Sequence, residues 1–248
     1  MNGAFLALWN SVDTPGAREE YEAWHAIEHV PERVGLPGFL WGRRYVGGTD
    51  GASYFTLYGL QDLKALQTVQ YADVIAHPTP WSARMRPRLS AFVRRPCVLV
   101  ASAGSTAAAH LVAVRAMTRE LPGWSAAAAQ AVAQAEDSAL LVRATAGAVP
   151  EQLDLTYPVG GEHIAVAVPG QSTVVVLAEH CTAEGARHGA QWLMDQLAPW
   201  CLPDTHAEAF VLQSHVARSD LPGSDLPGSG LTARLPARSG PMARYFSP

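Results

Sequence analysis

Two histidines stand one helical turn apart, His25 and His29, with Glu28 between them in the stretch "EYEAWHAIEHVPERV" (residues 20–34). Imidazoles at i and i+4 on a helix can share a metal, handle a proton, or simply face solvent. "HAIEH" has the H-x-x-E-H spacing of a zinc site. A catalytic zinc, however, needs a third protein ligand and an open position, and His77, His110 and His163 are scattered without ligand-like spacing. No metal is assigned. For proton chemistry Pro31 is informative. It cannot donate to the carbonyl of Ile27, and it pushes Val30 out of the α region. The helix is therefore expected to stop near His29, where unpaired carbonyls and the negative helix end raise a histidine's proton affinity. With a reference pKa of about 6.5, His29 is the group placed to exchange protons near neutral pH, with His25 or Glu28 orienting or relaying.

These residues need a helix to hold them. On a wheel of 3.6 residues per turn, Ala23, Ile27 and Val30 form the expected sheet-packing face. Tyr21, Trp24, His25, Glu28 and His29 gather on an arc mostly opposite, facing solvent or a covering partner. Glu28 reaches His25 by the i, i+3 relation, or Glu32 or Arg33 beyond the helix end. The flanking segments alternate. Residues 3–12 read as a strand and 14–29 as a turn and helix. Residues 39–48 and 52–60 are aromatic and β-branched strands joined by "TDG", a hairpin signal. A helix over 61–75 and a strand over 88–101 complete a β-α-β-β-α-β order, the ferredoxin-like unit.

The second half repeats the order at a period of roughly 105–115 residues. Strands are expected at 110–117, 139–147, 172–180 and 208–217, with helices at 123–137 and 183–199. A lone unit leaves one apolar sheet face bare. The expected fold is therefore α+β: two tandem ferredoxin-like βαββαβ units packed sheet to sheet as an intrachain αβ barrel, enclosing a cleft. The units span 1–101, which carries the histidine motif, and 110–218, with a linker at 102–109. Residues 219–248 contain "SDLPG" twice and then a Pro/Gly/Ser-rich run. They read as an irregular C-terminal tail, or as an arm docking through Met242, Tyr245 and Phe246 on a partner subunit.

Composition removes several function classes. The net charge is −4 and the pI near 6.1, which gives no basic footprint for nucleic acid. Three cysteines, Cys97, Cys181 and Cys201, lack C-x-x-C spacing and read as free thiols in a reducing compartment. The opening "MNGAFLALWN" has too short an apolar run for a signal h-region, and no segment reaches membrane-spanning length. A cytoplasmic protein with no membrane partner is expected.

The segments "W-H-x-x-E-H-x-P-E-R" (24–33), "LPGFLWGRRY" (36–45), "YFTLYGL" (54–60) and "PTPWSARMRP" (78–87) together resemble the dimeric αβ-barrel superfamily. Within it they are most similar to EthD-like bacterial proteins, and more distantly to muconolactone isomerases and antibiotic-biosynthesis monooxygenases. The resemblance is dense over residues 3–100 and architectural from 110 to 217. It implies a barrel handling small, often cyclic or aromatic molecules without a tightly bound cofactor. It also points to His29, because "E-H-x-P" is its most similar part. The second half has no matching segment, so one site per chain is expected, in the first half.

Other candidates surround the helix. Arg43 and Tyr45 share one face of a strand and Arg44 the other; a guanidinium there suits a substrate carboxylate. Tyr58 lies on a sheet face with Tyr54 and Thr56. Trp24 and Trp81 are apolar walls. The run 84–95 holds five arginines, read as solvated or ion-paired. The leading expectation is a cofactor-independent enzyme acting by histidine acid–base catalysis, of isomerase or lyase (dehydratase) type. Its substrate would be a small cyclic or aromatic organic molecule. The alternatives are a non-catalytic small-ligand-binding or assembly protein, whose histidine face would meet another chain in a homodimer, and a haem-binding or cofactor-free monooxygenase-like protein.

Overall fold

Period-2 alternation of apolar residues on every strand lets one face line a shared interior while the other receives helices. The computed structural model describes residues 3–12, 14–48, 53–151 and 170–221. Its strands are β1 (Ala4–Ser11), β2 (Phe39–Gly47), β3 (Ser53–Leu60), β4 (Ser90–Ala103), β5 (His110–Thr118), β6 (Arg143–Ala148), β7 (Ser172–His180) and β8 (His206–Ala217). They close into one antiparallel barrel in the order β1-β3-β2-β8-β5-β7-β6-β4. Each half contributes the ferredoxin-like order, β4-β1-β3-β2 and then β8-β5-β7-β6. The two expected sheets do more than face each other, because hydrogen-bonded seams between β2 and β8 and between β4 and β6 join their edges. No barrel strand is left with an unpaired edge.

The cleft expected between the sheets is occupied by side chains. Phe5, Ala7, Trp9, Tyr45, Phe55, Leu57, Cys97, Leu111, Ala113, Val175, Leu177 and Phe210 form one buried cluster drawn from both halves. Arg43 also points inward and meets Glu179 across the barrel at 3.3 Å, with its guanidinium 4.4 Å from the Trp41 ring centroid.

The helices are α1 (Pro15–Trp24), α2 (Val30–Val34), α3 (Val69–Ala76), α4 (Pro80–Met85), α5 (Leu121–Asp137) and α6 (Ala183–Leu197). Those of the second half close on a dry outer face. Ala144, Ala146 and Ala148 of β6 and Val174, Val176 and Ala178 of β7 pack against Trp124, Ala128, Ala131 and Ala135 of α5 and Leu193 of α6. Small residues on both sides allow that approach.

Several boundaries move. The helix expected over 61–75 divides into a 3₁₀ turn, Leu63–Gln67, and α3, because Thr68 is extended and caps α3 by accepting from the Tyr71 N–H. β4 continues to Ala103, into the stretch read as linker. β6 starts only at Arg143, after a turn in which Ala139 has φ 52°. The "TDG" turn, His163 and the tail beyond 221 lie outside the described residues. Among the described residues no helix is long and apolar enough to cross a membrane.

Candidate functional site

The histidine segment starts as a regular helix, with Thr14 extended before it and Pro15 at its first position, where a missing N–H costs nothing. It does not stop at Pro31. Residues His25–His29 form a π turn in which the Val30 N–H donates to the His25 carbonyl, and α2 then carries the chain to Val34. The wider turn displaces the carbonyls that would otherwise collide with the proline ring, and Pro31 enters α2 at a first-turn position, where its missing donor is harmless.

The expected orientation holds for Val30 but not for the rest of the helix. Tyr21, Trp24, His25, His29 and Val30 are buried against the barrel, whereas Ala23 and Ile27 are only half-buried. The imidazoles therefore do not face solvent. Tyr21, His25 and His29, at successive i+4 positions, form a column of nearly parallel rings, with centroids 4.9 and 5.2 Å apart and interplanar angles of 17° and 16°. Trp24 leans on His29 at 4.5 Å. The reason lies in the sheet beneath. Its outward positions include Asn10, Thr56, Arg44 and Arg94, all buried; Leu8 pairs with both Thr56 and Arg94, and Thr56 pairs with Arg44. A polar floor takes amphipathic rings better than aliphatic side chains.

Hydrogen bonds fix most of these groups. Arg44 donates from Nε to His25 Nδ1 at 2.8 Å and from its terminal nitrogen to Glu22. Tyr21 donates to Asn10 at 3.2 Å. Arg33 pairs with Glu32 at 2.8 Å, Arg94 donates to the Tyr71 hydroxyl at 3.1 Å, and Arg86 donates to the carbonyls of Val74 and Ile75. His29 differs. At 9% exposure, with Nδ1 fully buried, it makes no hydrogen bond among the described residues.

Electrostatics overturn the expected rise in proton affinity. Burial pushes His29 well below its ordinary value of 6.5, and the charges of Arg33, Arg86 and Arg44 push it further, as would a proton on His25. His25 is likewise depressed by burial, then by Arg44 and Arg33. The helix-end carbonyls expected to favour imidazolium are absent, because the helix continues. Both rings are neutral at pH 7.

Of the sequence-derived candidates, the structure brings together Trp24, His25, His29 and Arg44, with Tyr58 further along the same outer sheet face. Glu28 bonds neither histidine; it accepts from the hydroxyls of Thr79 and Ser82, and Ser82 accepts from the Trp24 indole at 3.1 Å. It ties α4 to the histidine helix. Trp81 packs in the same apolar cluster as Trp24 and donates to Glu20. Arg43 and Tyr45 lie inside the barrel, away from the histidines. The arginine run proves divided. Arg84 and Arg88 bind Glu20, whereas Arg86 and Arg94 are buried. Arg33 and Arg86, whose charges bear on His29, were not legible as its neighbours. The outward alternation of Arg44, Thr56 and Arg94 on three strands is the signal that marks a polar floor. Among the described residues no group of three His, Cys, Asp or Glu side chains could hold a metal ion.

No protein-family model matches the sequence, and no curated protein matches it. Solved structures do share the architecture. An anthrone oxidase-like protein superposes with a TM-score of 0.59 at 7% identity, covering 89% of this chain and 96% of that one. Candidate monooxygenases from Fusobacterium nucleatum and Lactobacillus acidophilus give TM-scores of 0.55 and 0.54, each at 7% identity. They cover 88% of this chain and 95% and 97% of their own. At such identity the likeness is one of fold, the ferredoxin-type αβ barrel.

Proposed function

We propose that the chain is a small-molecule enzyme of the EthD-like kind within this fold, with His29 as a general base toward a small cyclic or aromatic substrate. One observation carries the reading: a stacked, buried and neutral imidazole whose nitrogens are engaged by no described residue. A buried polar group without a partner calls for an explanation, and a ligand that completes it is one. A neutral imidazole takes a proton from carbon or oxygen, and the electron pair left behind moves onto a conjugated oxygen. Arg33, Arg44 and Arg86, whose charges bear on the ring, stabilise that negative charge. Returning the proton at another carbon gives isomerisation; delivering it to a leaving group gives elimination. The fold likeness to an anthrone oxidase-like protein and to candidate monooxygenases supports a small-molecule role.

The rival assembly role is disfavoured, because the histidine face meets its own barrel and not a free surface. A haem role also fits poorly. The charges that bear on His29 are the guanidiniums of Arg33, Arg86 and Arg44, not the apolar walls a porphyrin needs. Deuterium exchange tests the base role even before the natural substrate is identified. A panel of cyclic enones, lactones and phenolic ketones in D2O should contain members whose exchange the protein accelerates. Replacement His29→Gln should lower that exchange by about 10²–10⁴-fold, the usual range for a positioned acid–base group. Equal exchange in a folded His29→Gln variant sinks the assignment.

A further inference from the structure

Arg44 supplies information about His25 that goes beyond the role of His29, although the substrate class drawn from it rests on His29 being the base. A guanidinium has five N–H donors, no acceptor, and does not deprotonate in proteins. The 2.8 Å bond from Arg44 Nε to His25 Nδ1 therefore requires an unprotonated Nδ1, and a neutral ring then carries its proton on Nε2. Arg44 is itself held by Glu22 and buried beneath the ring column, so it cannot swing aside to release the other tautomer. Among the described residues His25 makes no hydrogen bond through Nε2. The two rings lie nearly parallel, with centroids 5.2 Å apart.

We infer that His25 is locked as an Nε2–H donor by Arg44, and that the site takes a small enol or phenol whose oxygen accepts from His25 while His29 receives its proton. Arg44 is then a positioning residue acting through His25. The two imidazoles divide the work: one donates only, the other accepts. An O–H or C–H proton moves to His29, and the oxygen keeps the electron pair as enolate or phenolate. Substrates without an acceptor oxygen, such as simple amines or hydrocarbons, are excluded.

The first test needs no substrate. Long-range ¹H–¹⁵N spectra of the full chain with labelled histidines, assigned by comparison with His25→Gln, should show His25 at pH 7 as the pure Nε2–H tautomer. An Nδ1–H ring or an imidazolium overturns the proposal. In Arg44→Met the His25 signals should move to values averaged between tautomers, and in Arg44→Lys, where an ammonium can still only donate, the pure tautomer should return. An unchanged spectrum in Arg44→Met removes Arg44 from the role. The second test uses 4-nitrophenol, whose phenolate is visible. Protein added at mildly acidic pH should raise the phenolate band. Arg44→Met should bind about tenfold more weakly, the size of one hydrogen bond, with Arg44→Lys recovering much of the loss. His29→Gln should abolish the band. If the band forms and depends on His29 but not on Arg44, the base reading stands and the donor proposal falls. If 4-nitrophenol binds with the Arg44 dependence but stays protonated, the base reading falls. Absence of binding to the wild-type chain overturns the substrate class.

Discussion

His29 reaches the folded state uncharged, and that has a consequence for pH. Its pKa and that of His25 are lowered on folding, chiefly by burial and then by arginine charges. As pH falls below about 6.5, the unfolded chain takes up protons that the folded chain refuses, so stability is present above that value and lost below it. Each unit of depression is worth about 1.4 kcal/mol at most. Thermal midpoints measured from pH 7 to pH 5 should therefore fall in the wild type and fall less in the double variant His25→Gln/His29→Gln. The slope shrinks without vanishing, because His215 is also lowered, by burial and then by Arg43. Glu20 acts in a separate window: burial raises it, but Arg84 and Arg88 together hold it below 4.5, so its contribution disappears only as pH falls through the carboxylate range. The same depression predicts activity that persists below pH 6.5, because His29 stays unprotonated there. An acid limb centred above 6.5 in the rate profile would contradict a buried neutral base.

At the scale of elements, the close seat of α2 on β2 sets the position of His29. Gly42 leaves the gap: a methyl group there would lie 2.6 Å from Val30 Cγ1 and 3.0 Å from Val34 Cγ2. β-branched neighbours cannot swing away freely. Gly42→Ala should therefore lift α2, cost about 1–3 kcal/mol in denaturant titrations, and lower His29-dependent exchange more than any distant surface variant does. The element order was readable from alternation and turn signals, and β7 has the expected bounds. The histidine helix was harder, for two physical reasons. The proline rule assumes an α-helix, and a π turn sidesteps it. The helical wheel assumes a greasy sheet, and here the floor is Asn10, Thr56, Arg44 and Arg94. A helix face can be judged only against the surface it meets. Arg86 and Arg94, expected to be solvated or ion-paired, are buried for the same reason: their place depends on α3 and on strand register, which one segment's composition does not encode.

Across the whole molecule, Arg43 and Glu179 join halves 136 residues apart, with side-chain exposures of 7% and 0%. Removing one charge leaves the other buried. Arg43→Met or Glu179→Leu alone should cost about 3–5 kcal/mol in urea unfolding, whereas the double variant should cost much less than their sum. Equal and additive losses would show that the pair does not act across the barrel. The two halves also differ in kind. Beneath the first pair of helices lies a floor with two buried arginines; at the matching place in the ring the second half has Ala144, Ala146 and Ala148. Identical chains meeting about a two-fold axis must carry every surface twice, so that any change made for a ligand is also imposed on its mate. Joining the copies into one polypeptide lifts that obligation. One half can then floor a helix with arginines while the other packs alanines at the matching strand.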